Sequence, residues 1–175
     1  TYELLQGALN YYNKLSSNNK DSFRFIHIST DEVYGSIIEG SFTEGSNFSP
    51  NSPYSASKAS AEHIVHAWYK TFKFPMNIVN CTNNYGPFQY PEKLIPLTIS
   101  NCINNKPIPI YGKGNNVRDW IHVEDHCDAI FRIIKDSKIG EKYNIGSGCE
   151  LTNIEIVKII CELMDKLRPS SLNNS

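Results

Sequence analysis

The run Phe23-Arg24-Phe25-Ile26-His27-Ile28 is aromatic and β-branched, and it ends in the small polar residues Ser29 and Thr30. This is the pattern of a buried strand that delivers its last residues to a sheet edge. In open parallel sheets, ligands sit beyond the carboxyl ends of the strands. Asp31-Glu32-Val33-Tyr34-Gly35 follows at once, so two adjacent carboxylates are expected at that edge. Further on, Ser52 suits a helix N-cap and Pro53 the first helical position, which sets Tyr54 and Lys58 four apart on one helical face. An ammonium beside a phenol favours the phenolate and draws its pKa down from about 10 toward the range of a working base. On spacing alone, decoration of an exposed helix is the commoner meaning of Tyr-x-x-x-Lys, and a solvated acidic patch that of Asp-Glu.

The remaining segments read as a scaffold for these two. Thr1 to Leu15 carries Leu4, Leu5, Ala8, Leu9 and Tyr12 at helical spacing, and the polar stretch Ser16 to Asp21 ends it, as in a crossover helix feeding a strand. Ser36 to Asn51 is a polar surface loop. The helix from Pro53 is expected to bury Ala61, Ile64, Val65, Trp68 and Phe72 and to stop before Pro75, and Met76 to Cys81 is the next strand. Asn83-Asn84-Tyr85-Gly86-Pro87 has the composition of a turn. Pro91 to Asn105 begins with turn residues and continues as a helix, and Ile108-Pro109-Ile110-Tyr111 reads as a short, proline-broken strand of a small edge sheet. A helix through Ile134, a strand over Lys142 to Gly146, and a helix capped by Thr152 or Asn153 complete the series, with a polar, structureless tail from Arg168. Gly112-Lys113-Gly114 and Gly146-Ser147-Gly148 lack the third glycine of a phosphate-binding loop and read as turns.

Charge and cysteine content exclude several function classes. The formal net charge is −1 and the basic residues are scattered, so the sequence has no electrostatic footprint for nucleic acid or an anionic membrane. Nor does any apolar run approach the roughly 20 residues that span a bilayer. Five cysteines, none in a Cys-x-x-Cys arrangement, argue against a disulfide framework or a zinc site and suit a reducing cytoplasm. His122 and His126 are four apart, but they are not His-Glu-x-x-His and no third ligand is evident, so no metal is expected.

Taken together, Ser29 to Gly35, Ser52 to Ala59, Asn83 to Pro87, Pro91 to Pro96 and Tyr111 to Asp125 resemble the dTDP-glucose 4,6-dehydratases of the extended short-chain dehydrogenase/reductase superfamily. The likeness spans nearly the whole chain. Tyr-x-x-x-Lys indicates the superfamily, whereas Thr-Asp-Glu before Val-Tyr-Gly points to sugar-nucleotide dehydratases. It implies an α/β fold containing the C-terminal strands of a Rossmann-like parallel sheet over residues 1–107, interleaved with part of a small α/β substrate domain over 108–167, and a tail over 168–175. It also implies that the family's first half, with the glycine-rich pyrophosphate turn, is missing here. The chain alone is therefore not expected to hold NAD tightly or to be active.

By the same resemblance, Tyr54 takes the 4-hydroxyl proton of the sugar while hydride passes to NAD. Lys58 tunes Tyr54 and holds the nicotinamide ribose, Thr30 hydrogen-bonds the 4-oxygen, and Asn84 contacts the cofactor. Glu32 is then the base at C5 and Asp31 the acid at the departing 6-hydroxyl. Asn83, Lys93, Leu94, Pro109, Ile110, Tyr111, Arg118 and Asn153 are implied in binding the nucleotide sugar, dTDP-glucose being the implied substrate. Arg118 suits a diphosphate because its planar fork donates two hydrogen bonds. The intact parent could assemble as a homodimer. Two alternatives stay open: another nucleotide-sugar epimerase or dehydratase, and a non-catalytic binding or interaction segment.

Overall fold

The computed structural model describes residues 1–169. Strand β1 spans Phe25–Thr30, and strand alternation sets Phe25, His27 and Ser29 on one face of the sheet and Ile26, Ile28 and Thr30 on the other. Before it come helices α1, Tyr2–Lys14, and α2, Ser17–Ser22. The polar stretch that ends α1 is thus itself helical for a turn and a half, where a plain connection was expected.

After β1 the chain turns through a single 3-10 turn, Asp31–Tyr34, and Gly35 closes it at φ 91°. No side chain fits there, because a Cβ would lie 2.3 Å from the Ser49 carbonyl oxygen. Helix α3 runs Pro53–Phe72; Ser52 accepts from the Ser55 amide, and the Ser55 side chain answers the Ser52 backbone in a capping box. Strand β2, Met76–Cys81, is buried along its whole length, as a central strand of a parallel sheet must be. The order is β1-β2-β5, all parallel, with β5 at Lys142–Ile145. Leu5 and Leu9 of α1 pack with Val65 of α3 and with Phe74, Met76 and Ile78 as the core. On α3, Ala61 and Val65 are buried as expected, whereas Phe72 is 48% exposed. It lies in the last turn of the helix, where the chain departs toward Pro75.

A second set of elements forms its own core. Strand β3, Asn83–Tyr85, pairs in parallel with β4, Val117–His122, which pairs antiparallel with β6, Glu150–Thr152. Helices α4, Leu94–Ile103, and α6, Asn153–Leu167, pack with this sheet around Trp120, Ile156 and Ile160. The residues with turn composition at Asn83–Tyr85 are therefore a strand, and Ile108–Tyr111 is irregular. Pro107 and Pro109 remove two backbone donors from that stretch, so a ladder has little to form on.

These elements divide the chain into two compact units, Thr1–Thr82 with Asp125–Ile145, and Asn83–Glu124 with the stretch from Gly146 onward. The change of unit comes at residue 83, because β3 pairs within the second sheet, while β5 returns to the first. Helix α5, Val123–Asp136, begins in one unit and continues in the other. Most of the expected tail lies outside the described residues. Among those described, no helix is long and apolar enough to cross a membrane.

His27 carries a consequence for stability. Its Nε2 is buried without a hydrogen-bond partner, and burial first, then the Lys58 charge, lowers its pKa to about 4 from 6.5. Between these values the unfolded chain binds a proton that the folded chain refuses, so stability is full above pH 6.5 and falls as the pH drops toward 4. The expected loss is at most about 3 kcal/mol. Urea unfolding at neutral pH and at pH near 5 should show it, and His27→Leu should lack that part of the slope; equal slopes in both chains would assign the effect elsewhere.

Candidate active site

The carboxyl end of β1 brings the first group of residues together. Thr30 is the N-cap of the 3-10 turn: its Oγ1 accepts from the Glu32 amide at 3.3 Å and donates to Asp31 Oδ1 at 3.2 Å. One hydroxyl thus fixes the backbone of one carboxylate and the side chain of the other. Asp31 and Glu32 are both half-buried. From α3, Lys58 reaches back to β1 and donates from Nζ to the Ile28 carbonyl oxygen at 2.7 Å. An ammonium has three donors, so two remain for other partners.

Tyr54, one turn before Lys58, is 57% exposed. Its phenol is raised above the usual value by partial burial first, then by the charges of Glu32, Cys81 and Asp31. The lowered pKa expected from the Tyr-x-x-x-Lys spacing is therefore not what this geometry gives. Lys58 is held on a strand carbonyl, and the charges that act on the phenol are negative. The 3-10 turn that carries Asp31 and Glu32 packs on the same helix, where Val33 and Tyr34 meet Ala59, the residue after Lys58.

Sequence reasoning missed a layer beneath this site. Glu62, 1% exposed, accepts from the Ser29 hydroxyl and from Asn80 Nδ2 at 2.6 Å, and its other oxygen lies 3.8 Å from Lys142 Nζ. Asn80 Nδ2 also donates to the Thr30 carbonyl at 3.0 Å. The available signal was a carboxylate set among the apolar residues Ala61, Ile64 and Val65, one turn beyond Lys58 on the same helix.

The remaining sequence-derived residues lie in the second unit. Asn83 and Asn84 open β3, opposite Trp120 and Ile121, and Gln89 Nε2 donates to the Asn84 carbonyl at 2.9 Å. Lys93 is exposed at the N-cap of α4, and Leu94, the first residue of that helix, packs beside Trp120. Pro109, Ile110 and Tyr111 lie on the irregular segment, with Tyr111 89% exposed. That segment is tied to the start of α6, because the Ile154 amide donates to the Gly114 carbonyl and the Asn153 amide to the Asn116 carbonyl. Arg118 is exposed on β4, opposite Leu151. The second unit thus ties the segment before Gly114 to the start of α6 at Asn153. Thr152 supplies the α6 cap, in a capping box with Glu155, and Asn153 follows as the first helical residue.

The glycine pairs behave as turns. Gly112 and Gly114 have φ of 61° and 70°, and Ser147 and Cys149 donate backbone amides to the Asp119 carboxylate. His122 and His126 do not meet a third ligand, and no cluster able to hold a metal ion occurs among the described residues.

The model of the GDP-mannose 4,6 dehydratase family matches residues 1–173. The chain belongs to that family. It is 53% identical over 176 residues to the dTDP-glucose 4,6-dehydratase of Haemophilus influenzae, an alignment that takes in 99% of this chain and 52% of that protein. Among solved structures, a dTDP-glucose 4,6-dehydratase from Bacillus anthracis in complex with NAD superposes with a TM-score of 0.84 at 48% identity, covering 92% of this chain and 49% of that one. A UDP-glucuronic acid 4-epimerase from Bacillus cereus, in complex with UDP-glucuronic acid and NAD, reaches 0.81 at 29% identity over 97% of this chain and 51% of its own. The chain thus spans about half the length of the relatives it matches. Its α/β architecture, with a parallel sheet flanked by helices, is the Rossmann-like one expected.

Proposed function

We propose that this segment, within a chain of the relatives' length, is the catalytic part of an NAD-dependent dTDP-glucose 4,6-dehydratase. The observation that carries this reading is the packing of the Asp31–Tyr34 turn on the helix of Tyr54 and Lys58, where Val33 and Tyr34 meet Ala59 and Lys58 donates to the Ile28 carbonyl near the end of β1. The residues present fit the nicotinamide end of NAD, since an exposed phenol and an ammonium with two donors to spare stand at a sheet edge. Tyr54, Lys58 and Asn84 would hold it. Bound there, NAD would supply the acceptor for the C4 hydride and its donor at C6, and a proton returning to C5 completes the reduction.

The chain's own groups do the proton work. Thr30 hydrogen-bonds the 4-oxygen and Tyr54 takes the 4-hydroxyl proton, while Lys58, anchored on the Ile28 carbonyl, holds the nicotinamide ribose. A keto group at C4 makes the C5 proton acidic, and Glu32 removes it. Asp31 gives a proton to the departing 6-hydroxyl, so that water leaves and not hydroxide. Two carboxyls in one half-buried pocket need not share a pKa, which allows one acid and one base at the same pH. In the second unit, Arg118 serves the diphosphate, Asn83, Lys93, Leu94 and Asn153 contact the nucleotide sugar, and Pro109, Ile110 and Tyr111 offer an apolar surface to the base. Five cysteines with no Cys-x-x-Cys arrangement suit a cytoplasmic location.

An epimerase would use the same phenol and ammonium, and the likeness to a 4-epimerase favours that as the second reading. It leaves Asp31 and Glu32 without chemistry. The deciding assay incubates a full-length protein containing this segment with dTDP-glucose and NAD and follows the sugar by NMR. A 4-keto-6-deoxy product is expected, and the 175-residue segment alone should give none. Inversion at C4 with the 6-hydroxyl retained would establish the epimerase, and binding without turnover a non-catalytic role.

A further inference from the structure

Glu62 is a carboxylate placed where burial is costly and where the reaction does not call on it. It is 1% exposed on α3, one turn beyond Lys58 and two beyond Tyr54. Removing a charge from water costs several kcal/mol even when it is paired, and buried ion pairs are often replaceable by apolar residues without loss of stability. Stability is therefore a weak reason for this arrangement, and its connections supply a better one.

One oxygen of Glu62 accepts from Ser29 and Asn80, the residue before Thr30 on β1 and the residue before Cys81 on β2. Asn80 Nδ2 is shared with the Thr30 carbonyl, so the Glu62 carboxylate is two hydrogen bonds from the backbone that opens the Thr30-Asp31-Glu32 turn. Its second oxygen faces Lys142 of β5 at 3.8 Å. The Lys142 ammonium lies 4.2 Å from the centre of the Phe48 ring and 5.2 Å from that of Tyr34, the last residue of the same turn. The Tyr34 hydroxyl in turn donates to Asn144 Oδ1 at 2.8 Å. Three strands and the helix bearing Tyr54 and Lys58 thus converge on the buried Glu62 and the half-buried Lys142.

We propose that Glu62 is a positioning residue: through Ser29 and Asn80, and balanced by Lys142, it fixes the end of β1 so that Thr30, Asp31 and Glu32 face the sugar carbons on which they act. This rests on the dehydratase reading for what is positioned, but the positioning itself is a property of the fold. Hydrogen bonds to a charged acceptor are stronger and shorter than neutral ones, which suits a group that must hold a backbone in one register. Because Glu62 is buried and accepts from Ser29 and Asn80, removing its carboxylate leaves those donors stranded, whereas Gln keeps an acceptor oxygen of the same reach.

The test compares Glu62→Gln, Glu62→Leu and Ser29→Ala, the last removing one donor while leaving the charge pair intact. Kinetics of the full-length protein with dTDP-glucose and NAD should show kcat reduced by about 10²-fold in Glu62→Leu with KM near the parental value, as expected for a misplaced catalytic group. Glu62→Gln should recover most of that loss, and Ser29→Ala should fall between them. Amide hydrogen exchange in the same proteins should quicken across Thr30 to Gly35 in Glu62→Leu and Ser29→Ala while helix α1 stays protected. Parental kcat in Ser29→Ala and Glu62→Leu, or exchange that quickens evenly over the first unit, would overturn the proposal. If Glu62→Leu does not fold, Ser29→Ala alone decides by the same two readouts. If the unsubstituted protein does not turn over dTDP-glucose, the dehydratase reading fails, while exchange at Thr30 to Gly35 still decides whether Glu62 positions the turn.

Discussion

Tyr54→Phe in a full-length protein containing this segment is expected to slow turnover of dTDP-glucose by about 10²–10⁴. The substitution removes one oxygen from a ring that is 57% exposed, so the fold has little to lose. Binding of NAD and sugar should stay largely intact, because Lys58, Thr30 and the second-unit residues are untouched. The loss therefore falls on kcat, the signature of an interaction made in the transition state. The raised phenol sharpens this expectation, since Tyr54 becomes an effective base only where a positive charge offsets Glu32 and Asp31. A variant that turns over at the parental rate would take the oxidation step away from Tyr54.

Much of the scaffold was legible in the sequence because its signals are local. The run into Ser29 and Thr30, the Ser52-Pro53 helix start and the apolar stretch Met76 to Cys81 each carry their pattern within a few residues, and they fold as β1, α3 and β2. Strands β3 and β6 were not legible. Each has three residues, too few for alternation to register, and each exists because it pairs with β4. The Tyr54–Lys58 spacing correctly suggested one helical face, but spacing says nothing of where a long side chain goes, and Lys58 goes to the Ile28 carbonyl. Glu62 shows a further limit, since its partner Ser29 is 33 residues away and meets it only when helix and sheet pack.

The division of labour between Asp31 and Glu32 separates a dehydratase from an epimerase. Glu32→Gln should leave oxidation at C4 intact, because that step uses Tyr54 and Lys58 and neither carboxylate. Elimination should then stall for want of a base at C5. Asp31→Asn keeps the base and loses the acid, so the C5 proton still comes off while water leaves slowly, by about 10²–10⁴ relative to the parental step. Both amides are close in size to the acids they replace, and the Thr30 hydroxyl, which donates to Asp31 and accepts from the Glu32 amide, retains acceptors and donors in either variant.

The most direct measurement follows deuterium at C5 when each variant is incubated with dTDP-glucose and NAD in deuterated water. Little C5 deuterium is predicted with Glu32→Gln and clear C5 exchange with slowed loss of water with Asp31→Asn, whereas rapid C5 exchange in Glu32→Gln, or loss of water at the parental rate in both variants, would contradict the account.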